Sequence, residues 1–436
     1  MFAWTRAIRQ WKGTLRIHEV LANEAASHYF PNMTKVLIIG AGHAGGTAAA
    51  LLRQYGHEGP IVLAGEEPTA PYQRPPLSKA WLKGEADLEA LLLRPEEFYA
   101  GHDIDLRTGV TATSIDATAR TVTFADGTVE GYDALILAMG STARKLTIPG
   151  ADRPDLLELR TLSDAERLKA ALGPGRRLAV VGGGYVGLEA AASARALGAE
   201  AVVIERMDRV LARVASTTLS AFFTAHHRDH GVQVLTSAEV TGFEDEGVRL
   251  GDGRLIAADI VLVGIGALAN DGLARSAGLV CENGVAVDEA ARTSDPAIWA
   301  IGDMTFRPIP VHGGRRHRLE SVPNALEQAK QAAAAITGRA APTPEVPWFW
   351  SDQYEVKLQI AGLPDGADQQ VVRGDVESGA FAVFHLAGDR IVCVEAVNAP
   401  AEFMAGRQMI SRGQTVDVTK LADRSVSMKE VAAAQA

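Results

Sequence analysis

Thiols are almost absent: Cys281 and Cys393 are the only cysteines in 436 residues. So few, so far apart, exclude a disulfide framework, a CxxC redox pair and any multi-cysteine metal centre. The scarcity also fits a reducing cytoplasm, where this chain is expected to reside. No run approaches the roughly 20 apolar residues needed to cross a bilayer. Positive charge is in deficit, with 43 Lys and Arg against 53 Asp and Glu and a formal net charge of -10. That balance argues against a general nucleic-acid or anionic-membrane surface. His226-His-Arg-Asp-His230 has no cysteine or carboxylate beside it in a known metal spacing, and His312 and His317 are no better supplied. The histidine run reads as the surface of a helix end, and no metal is expected. Residues 1–32 contain Arg6, Arg9, Lys12 and Arg16 but lack the apolar core of a secretory signal. Met33 directly precedes the first predicted strand, so those 32 residues read as a dispensable extension, with an amphipathic arm as the alternative.

The composition that remains is that of an ordinary soluble protein, 47% apolar and 22% charged, with length for two or three domains. Two glycine fingerprints stand out. The first runs Lys35-Val-Leu-Ile-Ile-Gly40-Ala-Gly42-His-Ala-Gly45, the second Leu178-Ala-Val-Val-Gly182-Gly-Gly184-Tyr185-Val-Gly187-Leu-Glu189. Each follows a short aliphatic run read as a buried parallel strand and opens an alanine-rich helix. The predicted order is strand Lys35–Ile39, helix Ala48–Tyr55, strand Ile61–Ala64, then Glu66. It repeats as strand Leu178–Val181, helix Leu188–Leu197, strand Ala201–Ile204, then Glu205. In such loops the first glycine permits the turn, the second lets backbone approach a pyrophosphate, and the third allows close helix–strand packing. The phosphates would lie over a positive helix N-terminus. Glu66 and Glu205 stand where a carboxylate accepts hydrogen bonds from a ribose 2′-hydroxyl. At Glu205 this favours NADH over NADPH, although Arg206 and Arg209 follow closely and work against that preference. Two whole βαβ units imply two nucleotide cofactors facing each other.

Further along, a hairpin is predicted over Ala119–Thr128 and apolar strands over Ala134–Ala138, Ile260–Gly264 and Ile298–Ile301. The last ends at Gly302-Asp303, where Asp303 is either a ligand for a ribityl hydroxyl or a helix N-cap. A helix follows from Ala325 to Ile336, and Pro342–Pro347 reads as a linker. Beyond it, Gln370–Arg373, Phe381–Leu386 and Ile391–Val397 alternate like an antiparallel meander, with a helix near Glu402–Ser411. Trp348, Phe349, Trp350 and Tyr354 cluster in a chain with 6% aromatics. Arg315-Arg-His-Arg318, with Lys330, is a local basic cluster that is either a solvated loop or a docking patch.

Several of these segments resemble those of the FAD-dependent NADH:ferredoxin reductases of oxygenase systems, the putidaredoxin reductase type. The resemblance rests on Arg74-Pro-Pro-Leu-Ser-Lys79, the second fingerprint, Ile301-Gly-Asp303, Glu320-Ser-Val-Pro-Asn-Ala-Leu-Glu-Gln-Ala329 and Trp348-Phe-Trp-Ser-Asp-Gln-Tyr-Glu355. It spans Met33 to the C-terminal domain. The fold it implies is α/β, glutathione-reductase-like, with two Rossmann-like domains and a C-terminal α+β domain. The expected divisions are 33–145 with 268–340 for FAD, 146–267 for NADH, and 341–436. The resemblance implies FAD contacts at Ala44, Glu66, Lys79, Ala112, Arg160, Asp303 and Val322, beside Gly40, Gly42 and Gly45. It implies NADH contacts at Tyr185, Glu189, Glu205 and Gly266, beside Gly182, Gly184 and Gly187. Related disulfide reductases carry redox cysteines in the segment that here ends in Lys79, and this one has none. Lys79 is expected to pair with Glu189 near the flavin–nicotinamide contact. Tyr185 would stack on the flavin face, and Trp350 would lie at the edge facing the acceptor. The implied reaction is hydride transfer from NADH to FAD, then single electrons to a 2Fe–2S ferredoxin serving a monooxygenase or dioxygenase. Its demands are chiefly geometric, with no nucleophile or general base. The alternatives are a rubredoxin reductase and a redox-gated interaction protein like apoptosis-inducing factor. A monomer or weak dimer is expected.

Overall fold

The structure, a computed structural model, describes residues 33–433; the extension expected at 1–32 lies outside the described residues. The two predicted βαβ units are the starts of two parallel sheets. In the first, Ile298–Ala300, Ala134–Leu137, Val36–Ile39, Ile61–Ala64 and Ile104–Arg107 lie side by side in that order, every pair parallel. Alternate residues of the central strand enter different cores. Val36 and Ile38 pack with Ala48, Leu52, Ala329 and Ala332 of two helices. Leu37 and Ile39 pack with Ile115, Val122 and Phe124 of a small antiparallel sheet. With both faces covered, all four positions are buried, which is why the strand reads as an unbroken aliphatic run. The second sheet runs Val232–Leu235, Glu200–Ile204, Arg177–Val181, Ile260–Val263, again all parallel.

In these two sheets the ends of the predicted strands fall within a residue of their expected positions, but the helices start earlier. They run His43–Gln54 and Tyr185–Ala196, taking in glycines that had been read as turn. Packing against the sheet outweighs the weak helix propensity of glycine there. The predicted hairpin is the middle of a three-stranded sheet, Ala112–Asp116, Thr121–Phe124 and Val129–Gly131.

After 341–347, which has no regular structure, five antiparallel strands form the last sheet. Their order is Trp348–Gln353, Val356–Gly362, Arg390–Val397, Ala380–Ala387, Gln369–Asp375. The helix Pro400–Arg412 covers one face through Phe403, Met409 and Ile410. Side chains of the other face, Val356, Leu358, Phe381, Val383 and Val397, share a core with Leu188, Leu219 and Phe223 of the second nucleotide unit. The aromatic segment is thus the edge strand of a sheet docked on the second unit.

Arg307 and Glu327 form a buried ion pair at 2.8 Å with side chains 3% and 6% exposed. Glu327 also accepts the backbone N–H of Glu345 at 3.0 Å, tying the 341–347 segment to the helix Val322–Ile336. Removing one member leaves the other charge buried and unpaired. We expect Glu327→Ala to destabilise by about 3–5 kcal/mol and Glu327→Gln by less, read from denaturant midpoints.

Candidate functional site

Both glycine loops sit at the carboxyl end of a central strand, and their glycines divide the work in the same way. A side chain at Gly40 would sit 2.3 Å from the Ala138 carbonyl oxygen, and one at Gly45 would sit 2.0 Å from that of Gly40. In the second loop, Gly182 faces the Gly264 carbonyl at 2.3 Å and Gly187 that of Gly182 at 2.4 Å. The protein's own backbone therefore requires the first and third glycines. The middle ones differ: a Cβ at Gly42 would meet nothing nearer than 3.9 Å, and at Gly184 nothing within 4 Å. Space is kept there on the side from which a phosphate approaches.

A cavity of about 1210 Å³ opens from the first loop. Gly40, Gly42, Ala44, Glu66, Lys79, Ala112, Arg160, Asp303 and Val322 all line it, as do Tyr185, Glu189 and Trp350. Asp303 does not cap a helix through its side chain. Its carboxylate accepts from Arg160 Nη2 at 2.8 Å, while Arg160 Nε donates to the Ser141 carbonyl. Glu66, the exposed member, lies two residues beyond the strand Ile61–Ala64 at the cavity wall.

Lys79 and Glu189 meet at the far wall, Nζ to Oε2 at 2.7 Å, with Glu189 only 4% exposed. Ser78 Oγ donates to Glu189 Oε2 at 2.5 Å and Ser351 Oγ to Oε1 at 2.6 Å. Ser351 accepts in turn from Gln353 Nε2 at 3.1 Å, and Gln353 Oε1 lies 2.8 Å from His227 Nε2. Lys79, Glu189, Pro75 and Trp350 also line a second groove of about 400 Å³. The ion pair and the tryptophan therefore form a wall common to both spaces. Tyr185 stacks obliquely on Phe349, ring centroids 4.6 Å apart, so the aromatic strand closes over the start of the second nucleotide helix.

At the second loop, Glu205 is turned back on the protein. Its carboxylate accepts the N–H groups of Gly183 and Met207, each at 2.7 Å. Gly266 follows the strand Ile260–Val263 with φ +108, its Cα side facing Arg213 Nη2. Arg209, read from the sequence as working against an NADH preference, is consumed elsewhere. It donates to the carbonyls of Ala212 and Ala215 and to Ser220 Oγ. Arg206 remains exposed.

The sequence reading missed three contributors. His43 lines the cavity, its Nδ1 buried without a partner, and burial holds its pKa below the usual histidine value against the pull of Asp303. An orphaned ring nitrogen there fits a bound polar ligand. Gln328 Oε1 accepts from Gly302 N and Thr305 Oγ, each at 2.8 Å, fixing the Gly302-Asp303 turn. Arg74 donates to Glu67 Oε1, to Tyr72 Oη and to the Arg160 carbonyl. Each had a signal in its place, His43 in the first glycine fingerprint, Gln328 in the segment Glu320–Ala329 and Arg74 in the segment ending at Lys79.

The chain matches the pyridine nucleotide-disulphide oxidoreductase family over residues 34–329 and a reductase C-terminal family over residues 348–432. It belongs to that oxidoreductase family. It is 50% identical to a probable ferredoxin reductase, CtmF, of Castellaniella defragrans over 403 residues, 91% of this chain and 98% of that one. Identity to putidaredoxin reductase CamA of Pseudomonas putida is 41% over 409 residues, covering 92% and 97%. A chain of the solved covalent putidaredoxin reductase–putidaredoxin complex superposes with a TM-score of 0.90 at 41% identity, covering 92% and 98%. Membership implies FAD and NAD(H) as cofactors; the open middle glycines suit dinucleotides, and a cavity lies beside the first of them, Gly42. No helix among the described residues is long and apolar enough to cross a membrane.

The basic cluster is largely spoken for. Arg318 pairs with Glu320, Lys330 with Glu345 at 2.9 Å and His317 with Asp365 at 3.0 Å. Arg315 and Arg316 are exposed and bond only to backbone carbonyls. Beside them His312 is buried, and burial pushes its pKa down to about 4. The unfolded chain takes up that proton near pH 6.5 and the folded one only near 4, so stability falls as pH drops through this window. We expect a loss on the order of 3 kcal/mol from this group by pH 4. His312→Gln should flatten that part of the pH–stability curve measured by denaturant unfolding.

Proposed function

We propose that this chain is an FAD-dependent NADH:ferredoxin oxidoreductase that feeds an oxygenase through a 2Fe–2S ferredoxin. The observation that carries the reading is the wall between the two spaces. There a lysine from a segment without a thiol, its glutamate partner and a tryptophan meet, in a chain 41–50% identical to named ferredoxin reductases. FAD, when bound, supplies the ability to accept electrons as a pair and release them singly.

The chain's own residues bind, orient and exclude water. Gly40, Gly42, Ala44 and Gly45 would receive the FAD pyrophosphate, Glu66 its ribose, and Arg160, Asp303, Ala112 and Val322 the rest of the molecule. Gly182, Gly184, Gly187 and Gly266 would receive NADH, with Glu205 toward its ribose. The Glu205 carboxylate, fixed by two backbone N–H groups, would repel a 2′-phosphate. Lys79 Nζ keeps positive charge at the cavity wall, where reduction adds negative charge. Glu189 fixes the direction of that ammonium and offers a carboxylate to an entering carboxamide. Tyr185 covers the wall until nicotinamide displaces it, and Trp350 faces the acceptor. The division proposed is 33–145 with 268–340 for FAD, 146–267 for NADH, and 341–436 for the C-terminal domain. Arg315 and Arg316 are the cationic residues left for an acidic ferredoxin, and steering by them speeds encounter at low salt. A cytoplasmic monomer or weak dimer suits an enzyme that must release its partner at each turnover.

The test is NADH-driven reduction of a panel of 2Fe–2S ferredoxins with a rubredoxin as comparison. Rapid multiple turnover with a ferredoxin supports the assignment, and turnover with rubredoxin alone overturns it. Lys79→Ala should slow flavin bleaching by NADH roughly tenfold or more, a loss of about 1.4 kcal/mol of transition-state stabilisation; unchanged bleaching removes that role. Arg315→Glu with Arg316→Glu should raise KM for ferredoxin several-fold at low salt, an effect that shrinks as salt screens the charges. Equal KM at all salt concentrations would remove the docking assignment.

A further inference from the structure

Folding supplies the carboxylate that the histidine run lacks in sequence. The helix Thr217–Asp229 ends at His230, so His226 and His230 lie four residues apart on one face. Their rings are 4.5 Å apart between centroids. Glu355, at the tip of the hairpin formed by Trp348–Gln353 and Val356–Gly362, reaches over them. His226 Nε2 lies 3.4 Å from Glu355 Oε1, and His230 Nε2 lies 3.8 Å from Oε2. The three donor atoms all fall within 4.8 Å of one another. Ligands about 2.0–2.1 Å from a tetrahedral ion stand roughly 3.3 Å apart, so small rotations would bring this set to bonding geometry.

We propose that His226, His230 and Glu355 bind a divalent transition-metal ion of the zinc class, with one tetrahedral position left to solvent. Two imidazoles and one carboxylate suit zinc, cobalt or nickel far better than calcium or magnesium, which take oxygen sets.

Two features independent of the donor spacing support the site. His230 Nδ1 lies 2.8 Å from the His226 carbonyl oxygen. A carbonyl only accepts, so Nδ1 carries a proton, and in the neutral ring that leaves the Nε2 lone pair on the side of Glu355. Metal-bound histidines are held in the same way by the hydrogen bond of their other nitrogen. His226 Nε2 is itself buried without a hydrogen bond. The second feature is the turn. Tyr354 has φ +54, a left-handed conformation unfavourable for a bulky L residue. That conformation lays its ring on His230, centroids 3.8 Å apart and planes 20° from parallel, and aims the next residue, Glu355, at the histidine pair. An ion here would join the nucleotide unit's helix to the hairpin that carries Ser351 and Trp350. It needs no turnover to be detected and stands apart from the reductase assignment.

The experiment titrates Zn²⁺ into the chelator-treated, FAD-loaded full chain against a chromophoric chelator, with thermal unfolding followed in parallel. Wild type should bind one Zn²⁺ with a micromolar dissociation constant and gain thermal stability. His226→Ala with His230→Ala, and separately the exposed Glu355→Gln, should weaken binding roughly tenfold or more and abolish the gain. Co²⁺ should give the visible absorption of a tetrahedral nitrogen–oxygen site in wild type only. The proposal is overturned if wild type binds no Zn²⁺ in this range, or if binding survives in both variants. It is also overturned if binding is lost instead in Cys281→Ser, which would place the ion on the partly exposed thiol.

Discussion

One buried carboxylate organises the centre of this molecule. Glu189 is 4% exposed, and an isolated charge at that depth would be prohibitively costly unless paired and hydrogen-bonded. Its three partners come from distant parts of the chain: Lys79 and Ser78 from the thiol-free segment, Ser351 from the C-terminal edge strand. Satisfying Glu189 therefore requires the first nucleotide unit, the second and the C-terminal sheet to converge on one point. That point is the wall shared by the cavity and the second groove. Ser193, one turn further along the same helix, donates to the Ser78 carbonyl at 2.7 Å and repeats the constraint on the backbone.

The two glycine loops follow a different logic, because the protein demands some of their glycines and a ligand the others. The outer glycines in each loop are pressed against carbonyl oxygens of neighbouring backbone, so any side chain there would break the strand–turn–helix join. The middle ones face open space. A fold-only account explains two of the three glycines in each loop and leaves the middle one without a reason; phosphate approach supplies it.

What the sequence made legible follows from the range of the interactions involved. Parallel strands covered on both faces are written as continuous aliphatic runs, and their limits could be read almost to the residue. Helix starts were misjudged because glycines 45, 46 and 187 look like turn residues until the sheet they pack on is known. The strand Trp348–Gln353 was not legible as a strand, since its first three residues are all half-buried and break any alternation. The site is less legible still. Ser78 and Glu189 are 111 residues apart in sequence, and only a family likeness could suggest that their neighbourhoods meet. Nothing in the sequence revealed that Arg209 is spent on local carbonyls, that Arg318 and Lys330 already have carboxylate partners, or that Glu355 closes on two histidines. Each is a side-chain pairing set by tertiary contact, and residue type alone carries no record of its partner.

The scarcity of thiols acquires a structural meaning from these contacts. In the segment Pro75–Lys79, the position nearest the shared wall holds an ammonium fixed by a buried carboxylate. Such a pair can stabilise charge and orient a ligand, but it has no oxidation states and cannot store electrons. Trp350, which lines both spaces together with Pro75, Lys79 and Glu189, is carried on an edge strand whose neighbours are the oblique Tyr185–Phe349 stack and the hydrogen-bonded chain to His227. An edge strand is the part of a sheet least constrained by its own fold. Anchoring this one through Ser351 and Gln353 on one side and the Tyr354–Glu355 turn on the other gives the shared wall a fixed geometry that sheet pairing alone would not provide.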